Sequence, residues 1–280
     1  MHKILRKEEL TPETTLFEVN APQVARKCEP GNFIMLRIDE RGERIPLTIA
    51  DFNRDAGTVT IIFQKVGKST YQLSKLNAGD FIRDFVGPLG KHLEVGKVGK
   101  IVAIGGGLGI APIFLKIRFL VEAGNEVTAI IGARSKNLLI LEKEISGLAK
   151  KYYVTTDDGT YGLHGFTTDQ FKILLDEGLR PDLVLAVGPI PMMKAVSNIT
   201  RERGLRTLVS LDTIMVDGTG MCGSCRITVG GKNLFACVDG PVFDGLQVDY
   251  DEYSARQGRY KAEEKRALEA YNCKCQARAK

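Results

Sequence analysis

From Gly99 onward, apolar runs of strand length alternate with runs of helical length, and that alternation implies crossover units around a parallel sheet. The spacing predicts strands at Lys100–Ile104, Glu126–Ile131, Tyr152–Thr156, Leu183–Val187 and Thr207–Leu211. Between them it predicts helices at Ile110–Ala123, Leu139–Lys150, Thr168–Glu177 and Pro191–Arg203. Residues 1–97 follow a different rule. Six short runs, Lys3–Lys7, Thr14–Val19, Asn32–Ile38, Arg44–Ala50, Thr58–Val66 and Phe81–Val86, are separated by turn residues, with one brief helix near Thr70–Leu76. This spacing predicts a six-stranded antiparallel barrel. A third style, rich in Gly and Cys, occupies 212–250, and a charged, helix-prone tail follows at 251–280. The expected order is a β barrel (1–97), an α/β domain with a Rossmann-like parallel sheet (98–211), a small module needing a metal staple, and a helical tail.

Several function classes are disfavoured. A formal charge of +5 over 280 residues, with Lys and Arg interleaved among Asp and Glu, does not suggest nucleic acid as a partner. The first eight residues, Met1 to Glu8, turn charged before an apolar signal core can form. No apolar run approaches the roughly 18 residues of a membrane span. No membrane partner and a cytoplasmic location are the expectations.

The segment Gly105-Gly106-Gly107-Leu108-Gly109-Ile110-Ala111-Pro112 follows an apolar strand and opens a helix. There, backbone N–H groups and the positive helix end can face a pyrophosphate, which a Cβ would hold away. A tight strand-to-helix turn with no ligand needs similar glycines. A second cluster, Gly188-Pro189-Ile190-Pro191-Met192-Met193, follows the strand Leu183–Val187 at the same carboxyl edge. Two such loops make a crevice for NAD(H), with Gly105, Gly106, Gly107, Gly109, Ala111, Pro112, Gly188, Pro189 and Met192 as expected contacts. Pro191 also reads as a helix start, and Met193 equally as core filling. Arg134 and Lys136 suit a 2′-phosphate, whereas Asp157 and Asp158 repel one and can bond ribose hydroxyls. The balance favours NADH.

Of six cysteines, Cys222, Cys225 and Cys237 form Cys-x2-Cys-x11-Cys, the spacing of three ligands of a plant-type iron–sulfur site. The position five residues upstream, where a fourth cysteine normally stands, is Asp217. Its carboxylate is either the missing ligand or the side chain of an ordinary Val-Asp-Gly turn. Glycines at 218, 220 and 223 let the loop wrap so that N–H groups can point at sulfur. A zinc site of three thiolates and one carboxylate is the alternative metal. Cys273 and Cys275, one residue apart near the chain end, read as free thiols or a small partner-facing site; Cys28 stands alone.

Together these segments resemble the ferredoxin reductase superfamily, in the branch containing the electron-transfer subunit of dihydroorotate dehydrogenase B, over residues 1–250. The resemblance implies FAD in the barrel. Arg44-Ile45-Pro46-Leu47-Thr48-Ile49 takes the place of the family's flavin grip, with Arg44 on the pyrophosphate and Thr48 near the ring. Gly67-Lys68-Ser69-Thr70 is similar to the second flavin loop, Phe63 joins the implied contacts, and Gly87-Pro88-Leu89-Gly90 is similar to the link between domains. Read from the residues alone, these loops are turns, and Arg and Thr on barrel strands are commonly solvated or cross-strand paired. Within the branch, an aspartate with three cysteines resembles the small subunits of electron-bifurcating NADH-dependent reduced ferredoxin:NADP oxidoreductases and sulfide dehydrogenases.

What the resemblance implies is an electron-transfer subunit. NADH would dock at the glycine crevice and pass hydride to FAD, and single electrons would leave through a [2Fe-2S] cluster to a larger flavin- or iron–sulfur-carrying subunit of a heterodimer, reaching ferredoxin through that complex. Hydride transfer needs no protein acid or base, so no catalytic side chain is expected. Three other readings remain: the electron-transfer subunit of an NAD-dependent dihydroorotate dehydrogenase, a stand-alone NADH-ferredoxin reductase, and a non-redox nucleotide sensor stapled by zinc.

Overall fold

A computed structural model describes residues 1–278 of the chain, with side chains to Cys273. Alternating runs become strands β1 (His2–Thr11), β2 (Thr14–Asn20), β3 (Phe33–Arg37), β4 (Ile45–Asn53) and β5 (Thr58–Gln64), with helices α1 (Pro22–Lys27) and α2 (Lys68–Ser74) between them. The sixth expected strand is two pieces, β6 (Phe81–Ile82) and β7 (Asp84–Leu89). The sheet order is β6-β1-β2-β5-β4-β3-β7, all antiparallel. Because β6 and β7 flank the single residue Arg83, whose N–H donates to the Ile38 carbonyl at 3.2 Å, one bent segment brings both edges together and nearly closes the barrel. Helix α1 has no counterpart among the expected elements. Six residues are too few to display a 3.6-residue period, although Pro22 in its first turn is a start signal.

The alternating half folds around β8 (Lys100–Gly106), α3 (Ile110–Glu122), β9 (Glu126–Ala133), α4 (Glu142–Leu148), β10 (Lys151–Thr156), β11 (Leu163–His164), α5 (Thr167–Asp176), β12 (Leu183–Val187), α6 (Ile190–Glu202) and β13 (Thr207–Ser210). These strands lie parallel in the order β11-β10-β9-β8-β12-β13, so the topological switch falls between β8 and β12, where both glycine loops begin. Helix α4 is shorter than expected. Leu141 takes a left-handed φ of 55°, which breaks helical geometry and delays the start to Glu142.

The cysteine-bearing region adds β14 (Arg226–Val229), β15 (Lys232–Phe235) and β16 (Val242–Asp244), then α7 (Tyr250–Gln257) and α8 (Lys261–Arg278). β14 and β15 form a hairpin turned by Gly230 and Gly231 at φ 57° and 75°, a conformation that favours glycine at both positions. β16 pairs antiparallel with β13 and becomes the last strand of the nucleotide sheet. Helix α7 is capped by Asp249, which accepts from the N–H groups of Asp251 and Glu252, and it buries Tyr250 and Tyr253 in the core.

The pieces share their interiors. Phe33 and Met35 of the barrel belong to the same apolar cluster as Met193, Cys225, Ile227 and Tyr253. Leu115 of α3 is buried in the barrel core, and Arg118 of the same helix grips Asp51 of β4 bidentately at 2.6 and 3.1 Å. Helix α3 thus fixes the nucleotide loop relative to β4, the strand that carries Ile45–Ile49 and follows Arg44.

One residue of α3 works against stability. Lys116 is fully buried, its Nζ donates to the Pro112 carbonyl at 3.2 Å, and burial pulls its pKa from 10.5 to about 8. The unfolded chain therefore holds this proton more tightly than the folded one, so the cost of burial is fully present below about 8 and fades as pH rises toward 10.5. Lys116→Met is expected to stabilise the protein by about 2 kcal/mol at neutral pH. Urea unfolding at pH 7 and again near pH 10 checks this, and the gain should shrink at the higher pH.

Candidate cofactor site

The two segments assigned to FAD by resemblance lie side by side. Ser69 Oγ, on α2, donates to Glu43 Oε2 at 2.5 Å, and Glu43 also meets Lys68 Nζ at 3.6 Å, which ties the loop Gly67–Thr70 to the start of β4. Arg44 is exposed and makes no ion pair among the described residues. Thr48 is half-buried opposite Phe33 across the β3–β4 ladder, and Pro46 and Leu47 are half-buried beside it. A free guanidinium over a partly open barrel edge suits a pyrophosphate. Gly67 likewise leaves its side-chain space open, with nothing within 4 Å of a Cβ there.

Other expected contacts are already engaged. Thr70 Oγ1 accepts from the N–H groups of Val66 and Gly67 at 3.1 and 3.0 Å, closing the first turn of α2. Phe63, among the implied contacts, has its ring fully buried inside the barrel, edge-on to Phe17 at 5.2 Å, where it fills the core. Ile49 is buried in the same way.

At the nucleotide edge the glycines act differently from what the sequence suggests. A Cβ on Gly109 would lie 2.3 Å from the Val187 carbonyl oxygen, and one on Gly106 would lie 2.5 Å from Met192 Sδ. A Cβ on Gly188 would meet Met192 Cε at 2.8 Å and the Gly106 nitrogen at 3.1 Å, and one on Gly105 would meet Ile113 at 2.9 Å. Gly106, Gly109 and Gly188 let the β8 and β12 loops pack against each other, whereas Gly105 lets β8 approach Ile110 and Ile113 of α3. Gly107 alone needs glycine for the ligand-facing reason: its φ is 55° and its side-chain space is empty. Met192 covers the junction of the two loops, Pro189 is exposed and Pro112 half-buried beside it, whereas Met193 and Ala111 are buried in the core.

Beyond β10 an open cleft of about 590 Å³ is lined by Glu13, Arg134, Ser135, Asn137, Asp157 and Asp158. The cations that suit a 2′-phosphate have partners there: Arg134 pairs with Glu13 at 3.4 Å, and Lys136 Nζ lies 4.8 Å above the Tyr161 ring. Asp158 accepts from the hydroxyl and N–H of Thr160, which hold its pKa below the usual carboxylate range.

The cysteine loop is built by the β14–β15 hairpin. Cys225 precedes one strand and Cys237 follows the other, and because Arg226 pairs with Phe235 the eleven-residue gap closes on itself, leaving the sulfurs 3.2 Å apart. Burial and then the neighbouring Cys225 push the Cys237 thiol up to about 12. Cys222 is exposed, 3.0 Å from Ser224 Oγ, and that hydroxyl together with nearby main-chain groups lowers its pKa. Gly218, Gly220 and Gly223 have φ of 84°, 90° and 67°, the left-handed wrapping that their positions require. Asp217 accepts from the N–H and hydroxyl of Thr219 and the N–H of Met221, and its pKa is lowered by these groups and by Arg44.

As they stand, no three of these side chains converge on one point among the described residues. The donor set nonetheless fits an anionic cluster: two thiols in contact, a third on the same loop, and a hydroxyl and main-chain groups that favour thiolate at Cys222. The loop also sits directly on the flavin-side barrel. A Cβ on Gly218 would lie 2.6 Å from Met35 Cγ and 3.2 Å from Leu89 Cδ1. Cys273 is exposed on α8, away from these residues in sequence, Cys28 is buried in the barrel core, and the Cys275 side chain lies outside the described residues. The hydroxyl of Ser224 and the Glu43–Ser69 contact were missed from sequence. Ser224 lies between two of the cysteines, which was the available signal.

Two family models match, each over the segment expected for its chemistry. Residues 212–249 match the iron–sulfur cluster binding domain of dihydroorotate dehydrogenase B, and residues 103–198 match an oxidoreductase NAD-binding domain. A Thermotoga maritima homolog of the dihydroorotate dehydrogenase B (NAD(+)) electron transfer subunit is 42% identical, covering 97% of this chain and 95% of its own. The Desulforamulus reducens electron transfer subunit of that enzyme is 31% identical over 89% and 97%. Among solved structures, a chain of the NADH-dependent reduced ferredoxin-NADP oxidoreductase, described for flavin-based electron bifurcation, superposes with a TM-score of 0.92 at 41% identity, covering 97% of this chain and 98% of that one. Zinc is thereby set aside in favour of iron and sulfide. With the barrel, the double glycine loop and the three-cysteine hairpin in one chain, the protein belongs to the family of dihydroorotate dehydrogenase B-type electron-transfer subunits, oxidoreductases of the ferredoxin reductase fold that use FAD, NAD(H) and an iron–sulfur centre.

Proposed function

We propose that this chain is the small subunit of an NADH-dependent reduced ferredoxin:NADP oxidoreductase that bifurcates electrons. The observation that carries the reading is Asp217, standing where a fourth cysteine is expected, on a loop that packs against barrel residues Met35 and Leu89 and within electrostatic reach of Arg44. The overall match to the bifurcating enzyme's chain, over nearly the full length of both, supports it. When bound, the flavin exchanges electron pairs for single electrons and a [2Fe-2S] centre carries the single ones.

The residues of the chain supply placement and field. Arg44 and the Gly67–Thr70 loop hold the FAD pyrophosphate and Thr48 lies by the ring; Gly105–Gly109, Pro112 and the Gly188–Met192 loop hold the nicotinamide nucleotide, with Ala111 packed in the core behind them. Asp157 and Asp158 select NADH by repelling a 2′-phosphate. Cys222, Cys225, Cys237 and Asp217 ligate the cluster. Around Cys222 the loop exposes Val216 (58%), Met221 (88%) and Val238 (39%), an apolar face suited to a larger cofactor-bearing subunit. No described helix is long and apolar enough to cross a membrane, and the complex is proposed to be cytoplasmic.

Anaerobic isolation of the native protein with its companion chain tests the reading. The expected companion carries further flavin or iron–sulfur centres, and the complex reduces NADP with NADH and reduced ferredoxin. A companion that oxidises dihydroorotate would instead assign the subunit to pyrimidine chemistry.

A further inference from the structure

Beside the cysteine loop is a half-open pocket of about 40 Å³ lined by Thr213, Ser224, Arg226, Tyr253, Arg256 and Arg259. Its polar groups are incompletely satisfied. Thr213 is only 6% exposed, and its Oγ1 has no hydrogen-bond partner among the described residues. Arg256 Nε is equally shut from solvent and equally without a partner, while the Nη2 of the same side chain donates to the Ser224 carbonyl at 3.1 Å. Leaving a buried donor unmet costs about 1–3 kcal/mol, so two such atoms at one pocket call for an acceptor.

The charges around the pocket are unbalanced in the same direction. Burial pulls the Arg256 pKa down, and the nearby cations Arg259 and Arg226 lower it further. Two carboxylates stand close by. Glu252 offsets part of the charge on Arg256, but its own Oε2 is buried without a partner. Asp212 is turned to the Tyr253 hydroxyl, and burial raises its pKa toward the neutral form. A water molecule would satisfy the donors and leave the positive charge; a small anion does both. Size restricts the choice further. A cavity needs roughly 10–15 Å³ to hold one water, so about 40 Å³ admits a formate- or chloride-sized group and excludes a nucleotide.

We infer that this pocket binds a small monovalent anion and that its occupancy is coupled to the iron–sulfur centre beside it. The link is Ser224, whose carbonyl receives Arg256 and whose hydroxyl lies 3.0 Å from Cys222 Sγ. Reduction adds negative charge at the cluster, so a bound anion disfavours it, and the reduced protein in turn binds the anion more weakly. The coupling rests on the iron–sulfur assignment of the cysteine loop, whereas the anion site does not.

The test uses the full chain purified anaerobically with its cofactors. Thermal unfolding is followed through a formate titration at constant ionic strength, with bulky gluconate as the balancing anion. Stabilisation by formate should rise and saturate, and the apparent affinity should weaken roughly tenfold or more in Arg256→Gln and in the more exposed Arg226→Gln. An equal response in both variants and the unaltered protein overturns the site. Formate should also lower the cluster midpoint potential read by electron paramagnetic resonance. Saturable stabilisation with an unmoved midpoint overturns the coupling.

Discussion

Cys237→Ser is expected to strip iron and acid-labile sulfide from the chain while leaving its flavin bound. Cys237 is 2% exposed and its sulfur touches that of Cys225, so the pair forms the enclosed half of the centre. Serine keeps the volume but replaces a soft thiolate with a hydroxyl that does not ionise near neutral pH. Losing an outer-shell group around a metal commonly costs 10–100-fold, and losing a ligand should cost more: electron delivery to the partner should fall by on the order of 100-fold or greater. Oxidation of NADH by an acceptor that takes electrons directly from the flavin should change by no more than about twofold, since the barrel has its own core around Phe17, Ile34 and Ile61. Iron and sulfide assays, paramagnetic resonance of the reduced protein and both turnover assays provide the readout. Full iron content with an unaltered spectrum would remove Cys237 from the ligand set.

Gly109→Val should be nearly as damaging, for a reason unrelated to ligand contact. The first side-chain carbon would lie 2.3 Å from the Val187 oxygen, 2.6 Å from the Val187 carbonyl carbon and 2.8 Å from the Gly188 Cα, all main-chain atoms that have no rotamer to escape into. The β8 and β12 loops must separate, which misplaces both walls of the nucleotide crevice. The expected loss in kcat/KM for NADH is about 100-fold, equivalent to about 2.7 kcal/mol, with stability lowered by about 1–3 kcal/mol and FAD content unchanged. Gly147→Ala is the matching control, because nothing lies within 4 Å of a Cβ on that α4 residue. It should leave NADH kinetics alone and stabilise slightly. Kinetics and thermal melts of the two variants separate these outcomes; normal NADH kinetics in Gly109→Val would show that the loops need not touch.

The parts of the fold legible in the sequence were those governed by periodicity. Strands and helices of the alternating half were placed within a few residues because each crossover repeats the same apolar signature, and the double glycine loop marked the switch between β8 and β12. Features set by tertiary contacts were not legible. The bend at Arg83 that nearly closes the barrel depends on pairing with two distant strands, and Leu141 adopts a left-handed φ that no leucine advertises. At the site, the cysteine spacing marked the cysteine loop as one unit, yet the packing of loop against loop at Gly106, Gly109 and Gly188 depends on contacts between distant segments that no local pattern displays. The placement of Phe63 was not legible either, because an aromatic on a barrel strand has the same sequence appearance whether its ring faces the interior or a ligand.

The attachment of β16 to β13 has a consequence for how this chain can be divided. A fragment ending at Leu211 would expose the row of amides and carbonyls on Thr207–Ser210 that Val242–Asp244 normally covers, together with apolar Val209 and Leu211. An uncovered, apolar sheet border of that kind is an invitation to self-association. The last quarter of the sequence therefore acts as a selvedge for the dinucleotide fold, and the electron wire and the hydride-donor platform are woven as one cloth.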